Sequence, residues 1–273
     1  MSWEFPEPTL EAPVCQAVTF AQTQEPVYRE ISAALRRDDW GPHRKVWEWV
    51  YIVRVLELAG LLHPGKRGLG FGVGTEPLAS AFAARGCFIT ATDVPSGESS
   101  EVWAASGQHA SALSALNELG LCPPEQFAQR VEFQPLDMTR LPRFDGRYDF
   151  VWSSCVIEHV GGSEATARFL LDSMAALKPG GVAVHTTELC LVDVREPIEC
   201  PGTTVFTRAW LTEMKARLEE AGHAVSPLNF DLGREPQDAT IEWPPYPFVM
   251  PLKIALDNGV LTTSFGLTVR ASL

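Results

Sequence analysis

Four short stretches of this chain carry residues whose types and order can do chemistry. The first is Gly68-Leu69-Gly70-Phe71-Gly72-Val73-Gly74-Thr75, in which every second residue is glycine. Glycines where a strand turns into a helix let the backbone bend tightly, and they let a ligand reach amide groups at the helix start without meeting a Cβ. Close packing of strand on helix can demand the same glycines. The second stretch is Ala91-Thr92-Asp93-Val94, where a carboxylate about 20 residues past the glycines can accept hydrogen bonds from two ribose hydroxyls, or simply cap a turn. The third, Leu136-Asp137-Met138, offers an acceptor for an exocyclic amine beside an apolar side chain that can cover a ring; a solvated loop aspartate is the plain alternative. The fourth is Ser153-Ser154 with Glu158-His159 just behind. Imidazole ordinarily titrates near neutrality, which suits His159 to remove a proton from a hydroxyl, and a histidine bonded to backbone at a helix start accounts for it equally well.

Spacing narrows the ligand. A dinucleotide fingerprint requires G-x-G-x-x-G, and the frames that start at Gly68 and Gly70 put Val73 and Thr75 at the last glycine. An NAD-dependent oxidoreductase is therefore the weaker reading, and a catalytically silent nucleoside-binding module stays open beside it.

These stretches need a scaffold that brings them to one edge. Apolar and β-branched runs predict strands near 67–72, 87–92, 130–135, 148–153 and 182–186, with helices at 76–85, 101–119 and 163–177 between them. Such alternation is a parallel sheet covered by helices on both faces, and it aligns the four stretches at successive strand ends. A helix at 207–221 and strands near 223–230 and 261–270 follow, the last two read as an antiparallel pair closing the sheet. Residues 1–24, rich in Pro and Glu, read as an irregular lead-in, and helices are expected at 26–37 and 43–61. The expected organisation is an N-terminal cap over 1–62 and a ligand-binding domain over 63–273. The fold class is α/β, a Rossmann-like doubly wound seven-stranded sheet, mostly parallel with an antiparallel last strand, plus the N-terminal helices.

From Lys66 to about Thr187 the chain resembles class I S-adenosylmethionine-dependent methyltransferases. The resemblance rests on Gly70-Phe71-Gly72-Val73-Gly74, on Asp93, on Asp137-Met138, on Tyr148-Asp149-Phe150-Val151-Trp152-Ser153-Ser154 with Val156-Ile157-Glu158-His159-Val160, and on Leu177-Lys178-Pro179-Gly180-Gly181. It implies S-adenosylmethionine as cofactor. Gly70, Phe71, Gly72 and Gly74 would serve its methionine and ribose end, Asp93 and Val94 the ribose, Asp137 and Met138 the adenine, with Ser153 and Ser154 alongside. More narrowly the chain is similar to small-molecule and sugar methyltransferases, which implies a small-molecule or glycan acceptor methylated on a hydroxyl, with His159 and Glu158 as the catalytic pair. One position departs from the pattern. Family members carry an acidic residue two places before the first motif glycine, where this chain has Gly68, so the donor's ammonium needs another acceptor, Glu76 or backbone carbonyls. Trp243-Pro244-Pro245-Tyr246 echoes an element of DNA amino-methyltransferases, but the place beside the methyl group belongs to Ser153-Ser154-Cys155, and residues 231–251 read as a substrate-facing cover.

His185, Glu188 and Asp193 are second-choice contacts for the acceptor, residues 189–206 read as a specificity loop, and Trp103 and Gln108 as flanks of the adenine. Adjacent Glu158 and His159 could ligate a divalent ion, but no second pair is evident and no metal is expected. A formal net charge of -12 opposes a surface that tracks nucleic-acid phosphates. The six cysteines form no C-x-x-C pair, so no zinc ribbon or disulfide framework is indicated. No run of about 18 apolar residues and no leader pattern stands out, so no membrane insertion and a cytoplasmic location are expected.

Overall fold

The computed structural model describes residues 5–95, 109–110 and 112–273. The chain opens with β1 (Cys15–Ala17), α1 (Phe20–Gln24), α2 (Pro26–Ala34) and α3 (Arg44–Leu58). The parallel part follows as β2 (Arg67–Gly70), α4 (Leu78–Ala84), β3 (Phe88–Asp93), α5 (Pro124–Arg130), β4 (Val131–Pro135), β5 (Tyr148–Ser154), α6 (Ser163–Ser173) and β6 (Leu177–Cys190). A hairpin of β7 (Ile198–Cys200) and β8 (Thr203–Val205) precedes α7 (Arg208–Glu220), and the chain closes with β9 (Ala224–Val225), β10 (Leu228–Asn229), β11 (Lys253–Ala255) and β12 (Leu261–Arg270).

The central order is β12-β6-β5-β2-β3-β4, with β2 through β6 parallel and β12 antiparallel to β6. This is the expected Rossmann-like doubly wound α/β arrangement, and short added strands bring the sheet to ten among the described residues. Strands covered on both faces read as continuous apolar runs, and here the alternation sorts them cleanly. Phe150, Trp152, Val182 and Val184 enter the core beneath α3 and α4, while Leu69, Val151 and Ala183 enter the one beneath α6 and α7. Helix α3 is buried almost all round, from Val46 to Leu56, because it lies across β12, β6 and β5 with α2 on its other side.

The N-terminal lead-in is more ordered than its composition suggests. Strand β1 inserts between β12 and β10, antiparallel to the first at Gln16–Gly266 and parallel to the second. Three residues are too few to display a period of two, so only tertiary pairing reveals the strand. The insertion splits the expected strand at 223–230. β9 pairs with β12, β10 pairs with β1, and the break falls at Pro227, whose carbonyl accepts from the Cys15 amide at 3.1 Å. The Leu177-Lys178-Pro179-Gly180-Gly181 turn lies inside β6 as an irregularity, the pairing stepping from Tyr148–Leu177 to Phe150–Val182. Helix α5 and the β7–β8 hairpin were not expected. Of the helix expected at 101–119, residues 101–108 and 111, with Trp103 and Gln108, lie outside the described residues, and the described part forms only a short 3-10 helix at Leu113–Asn117. Among the described residues no helix is long and apolar enough to cross a membrane.

Candidate functional site

A cavity of about 1010 Å³ opens where β2, β3, β4 and β5 end at their carboxyl edge, the place where open α/β sheets hold ligands. Its size is at the upper end of the range for small-molecule sites, about 300–1,000 Å³. The turn after β2 forms one wall. Gly72 and Gly74 both lie in the left-handed region, at φ 55° and 51°, and a Cβ on Gly72 would stand 2.5 Å from Val156. Bonds from Phe71 N to the Trp152 carbonyl (2.9 Å) and from Val73 N to the Thr92 carbonyl (2.9 Å) pin this turn to both neighbouring strands. Two of the predicted glycine-loop residues do not reach the cavity. Gly70 backs onto Trp152, and Phe71 is fully buried, edge-on to Phe144 and Phe169.

Asp93 and Val94 line the cavity at the end of β3. The Asp93 carboxylate accepts from three backbone amides, Gly74 at 3.1 Å, Ala110 at 2.9 Å and Val94 at 2.8 Å. Burial pushes its carboxyl up in spite of these bonds. An ionised carboxylate has about four acceptor positions, so roughly one stays open toward the cavity. Asp93 is thus also the tie between the glycine turn and the strand end. Asp137 and Met138 line the same cavity beyond β4. Asp137 Oδ1 accepts from the Thr139 hydroxyl and amide at 2.7 and 2.8 Å, bonds that hold its carboxyl below the usual range and leave Oδ2 as an open acceptor.

Glu76 is buried at the cavity wall and accepts from Trp152 Nε1 at 2.8 Å. Burial pushes its carboxyl up to about 8. The residue missing from the family pattern has a steric explanation, since Gly68 pairs with Phe150 across the sheet and a Cβ there would overlap the phenyl ring.

Beyond β5, Ser154, Cys155, Val156 and His159 line the cavity. His159 Nδ1 lies 2.6 Å from the carbonyl of Gly202 at the tip of the β7–β8 hairpin. A carbonyl can only accept, so Nδ1 donates to it, and in the neutral imidazole this leaves the lone pair on Nε2. Glu158 does not line the cavity. It is fully buried, accepts from Thr187 Oγ1 at 3.0 Å, and burial pushes its carboxyl up. Ser153 also points away, bonded to Nδ1 of the fully buried His185 at 2.8 Å, as the period of a strand requires once Ser154 faces in. Asp193 is exposed and does not line the cavity. Glu188 is buried, with Arg44 on one oxygen at 2.5 Å and Thr262 on the other at 2.7 Å. Cys155, Glu158 and Glu188 place possible ligand atoms within 4.8 Å of one another, and the Arg44 guanidinium already supplies the positive charge there. Burial, then Glu158 and Glu48, push the Cys155 thiol well up, so it stays protonated.

Much of the remaining wall comes from residues not singled out in the sequence, Tyr246 excepted. Arg37, Trp40, His43, Arg44, Lys45 and Trp49 reach in from the N-terminal segment, and Tyr246, Phe248 and Pro251 from the 231–251 cover. His43 caps α3, its Nδ1 accepting from the Lys45 amide at 3.0 Å, and burial pushes the imidazole down to about 4. Burial alone would raise Glu48, but Lys45 at 2.7 Å and Arg44 outweigh it and keep the carboxylate ionised, with Ser154 at 3.1 Å and Ser264 at 2.5 Å completing its bonds. Cations in the first turn of a helix oppose its dipole, which was the available signal that Arg44 and Lys45 serve this network.

The family model described as a methyltransferase domain matches residues 48–229, and the chain belongs to that family, the class I S-adenosylmethionine-dependent methyltransferases. No curated protein matches the chain in sequence. Solved structures share the fold at low identity. Magnesium protoporphyrin IX methyltransferase from Synechocystis PCC 6803 is 14% identical with a TM-score of 0.51, covering 93% of this chain and 89% of that one. The 1,6-didemethyltoxoflavin-N1-methyltransferase of Burkholderia thailandensis is 18% identical with a TM-score of 0.50, covering 90% of each chain. The cyclase SpnF is 16% identical with a TM-score of 0.52, covering 96% of this chain and 98% of that one.

The enzyme is a methyltransferase that uses S-adenosylmethionine. The wall chemistry fits this cofactor. Glycines leave a cradle beside backbone amides, and Asp93 and Asp137 each retain an acceptor position.

Proposed function

We propose that this methyltransferase methylates a hydroxyl of a small-molecule or glycan acceptor by in-line displacement, with His159 taking the hydroxyl proton. The cofactor supplies an activated methyl group on sulfonium, so the protein's tasks are to orient the acceptor, exclude water and move one proton. Gly72, Gly74, Asp93, Val94, Asp137, Met138 and Ser154 are the proposed contacts to the donor, and Glu76 takes its ammonium in place of the acid missing at Gly68. Residues 1–62 act as the cap and 63–273 as the donor-binding domain, with β1 lent by the cap to the sheet.

The observation that carries the acceptor reading is His159, held in the tautomer a base requires, in one cavity with Asp93 and Asp137. Tyr246 and Phe248 from the 231–251 segment add ring faces suited to a sugar or planar ring. A net charge of -12 favours such acceptors over nucleic acid, and the cytosol is the proposed location. Mass spectrometry over a panel of sugars, phenols and amines tests this. A gain of one methylene on hydroxyl compounds is expected, and methylation confined to amines would refute the oxygen assignment.

A further inference from the structure

We propose that Arg37, contributed by the cap, binds the α-carboxylate at the amino-acid end of the donor, across the Trp49 indole from Glu76 on the α-ammonium. The proposal rests on the reading of Glu76 above and adds the second half of that subsite.

An α-amino acid presents one negative and one positive group a few ångströms apart, so a site for it needs a cation and an acceptor at matching separation. Among the described residues three side chains with fixed positive charge line the cavity, Arg37, Arg44 and Lys45. Arg44 is committed to Glu188 at 2.5 Å and Lys45 to Glu48 at 2.7 Å. Arg37 makes no ion pair among the described residues. Its Nη1 donates to the carbonyl of neighbouring Arg36 at 3.0 Å, and its Nε is buried without a partner. The guanidinium lies over Trp40, 5.2 Å from the ring centroid, and over Trp49 at 6.0 Å. Two indoles therefore fix its plane while leaving hydrogen-bonding edges open, which is the geometry for a two-point grip on a carboxylate.

Trp49 is the second observation. It is 6% exposed, lines the cavity, and its buried Nε1 faces the Glu76 carboxyl without coming within full hydrogen-bond distance of it. A buried donor without a full hydrogen bond is costly, and a ligand acceptor entering between Arg37 and Glu76 relieves it. Trp49 thus has a cation over its ring face and an acid beside its N–H, a neighbouring pair of opposite character for a carboxylate and an ammonium.

Calorimetry with two ligands separates this role from general support. S-adenosylhomocysteine carries the amino-acid end, and 5′-methylthioadenosine shares the nucleoside and lacks it. Arg37→Met should weaken S-adenosylhomocysteine by at least about tenfold, the loss of a charge-assisted contact, and leave methylthioadenosine unchanged. Arg37→Lys, which keeps the charge and loses the fork, should fall between. Equal losses for both ligands, or no loss for S-adenosylhomocysteine, would overturn the assignment; a melting curve for each variant guards against misfolding. If the unaltered protein bound neither ligand, the reading of the whole cavity would fall with it. If it bound both and Arg37→Met changed nothing, only the role of Arg37 would.

Discussion

Gly68 on β2 stands opposite Phe150 on β5, and the phenyl ring occupies the space a side chain at Gly68 would need. The position that carries an acid in the family pattern is here closed by packing, which is why Glu76, eight residues further along the chain, is the acid proposed for the donor's ammonium. Gly68→Ala is expected to destabilise the protein by roughly 1–3 kcal/mol through overpacking. Phe150→Leu combined with it should recover part of that loss, with a coupling of about 0.5–3 kcal/mol in a double-mutant cycle. Strictly additive denaturation midpoints would contradict the steric account.

Glu76 gives a pH signature. Its carboxyl is raised from the ordinary 4.5 to about 8 by burial, so between these values the folded state holds a proton that the unfolded state has released. The contribution of this group to stability is full below about pH 4.5 and is lost as pH rises towards about 8, at a slope of up to about 1.4 kcal/mol per pH unit. Glu76→Gln keeps an acceptor for Trp152 and should remove this dependence while weakening S-adenosylhomocysteine. Urea denaturation of both proteins across that interval checks it; parallel curves would rule out the protonated carboxyl.

His159→Ala should lower turnover by about 10²–10⁴ with donor affinity unchanged, the usual worth of a general base. Single-turnover rates alongside S-adenosylhomocysteine binding make the comparison. An unaltered rate would assign His159 to holding the hairpin at Gly202.

Asp93→Asn replaces an acceptor of three backbone amides with a group having one acceptor oxygen and an unwanted donor. Losses of about 1–3 kcal/mol in stability are expected together with weaker nucleoside binding. Methylthioadenosine affinity and the melting temperature should therefore fall together, and a variant that kept its stability would show that Asp93 does not anchor the glycine turn.

Much of this was legible in the chain. The strand-turn-helix glycines, Asp93 and Asp137 fall at successive strand ends because apolar runs and punctuating residues locate those ends well. Orientation was less legible. Ser153 and Ser154 looked alike until the pairing of β5 decided which one faces inward, although a period of two already implied that only one could. Phe71 and Glu158 were named by motif and proved to be buried supports. The cap residues Arg37, His43 and Trp49 were invisible because their role depends on where α2 and α3 dock, which neither spacing nor composition encodes. β1 escaped for a similar reason, its three residues acquiring strand character only between β10 and β12.

The central claim is that the glycine turn, Asp93 and the Asp137-Met138 segment grip one adenosyl group. A crystal structure with S-adenosylhomocysteine tests it most directly. The account predicts the ribose at Asp93, the adenine between Asp137 and Met138, and the amino-acid end over Gly72 and Gly74 towards Glu76. A nucleoside lodged elsewhere, or touching fewer than all three segments, would contradict it.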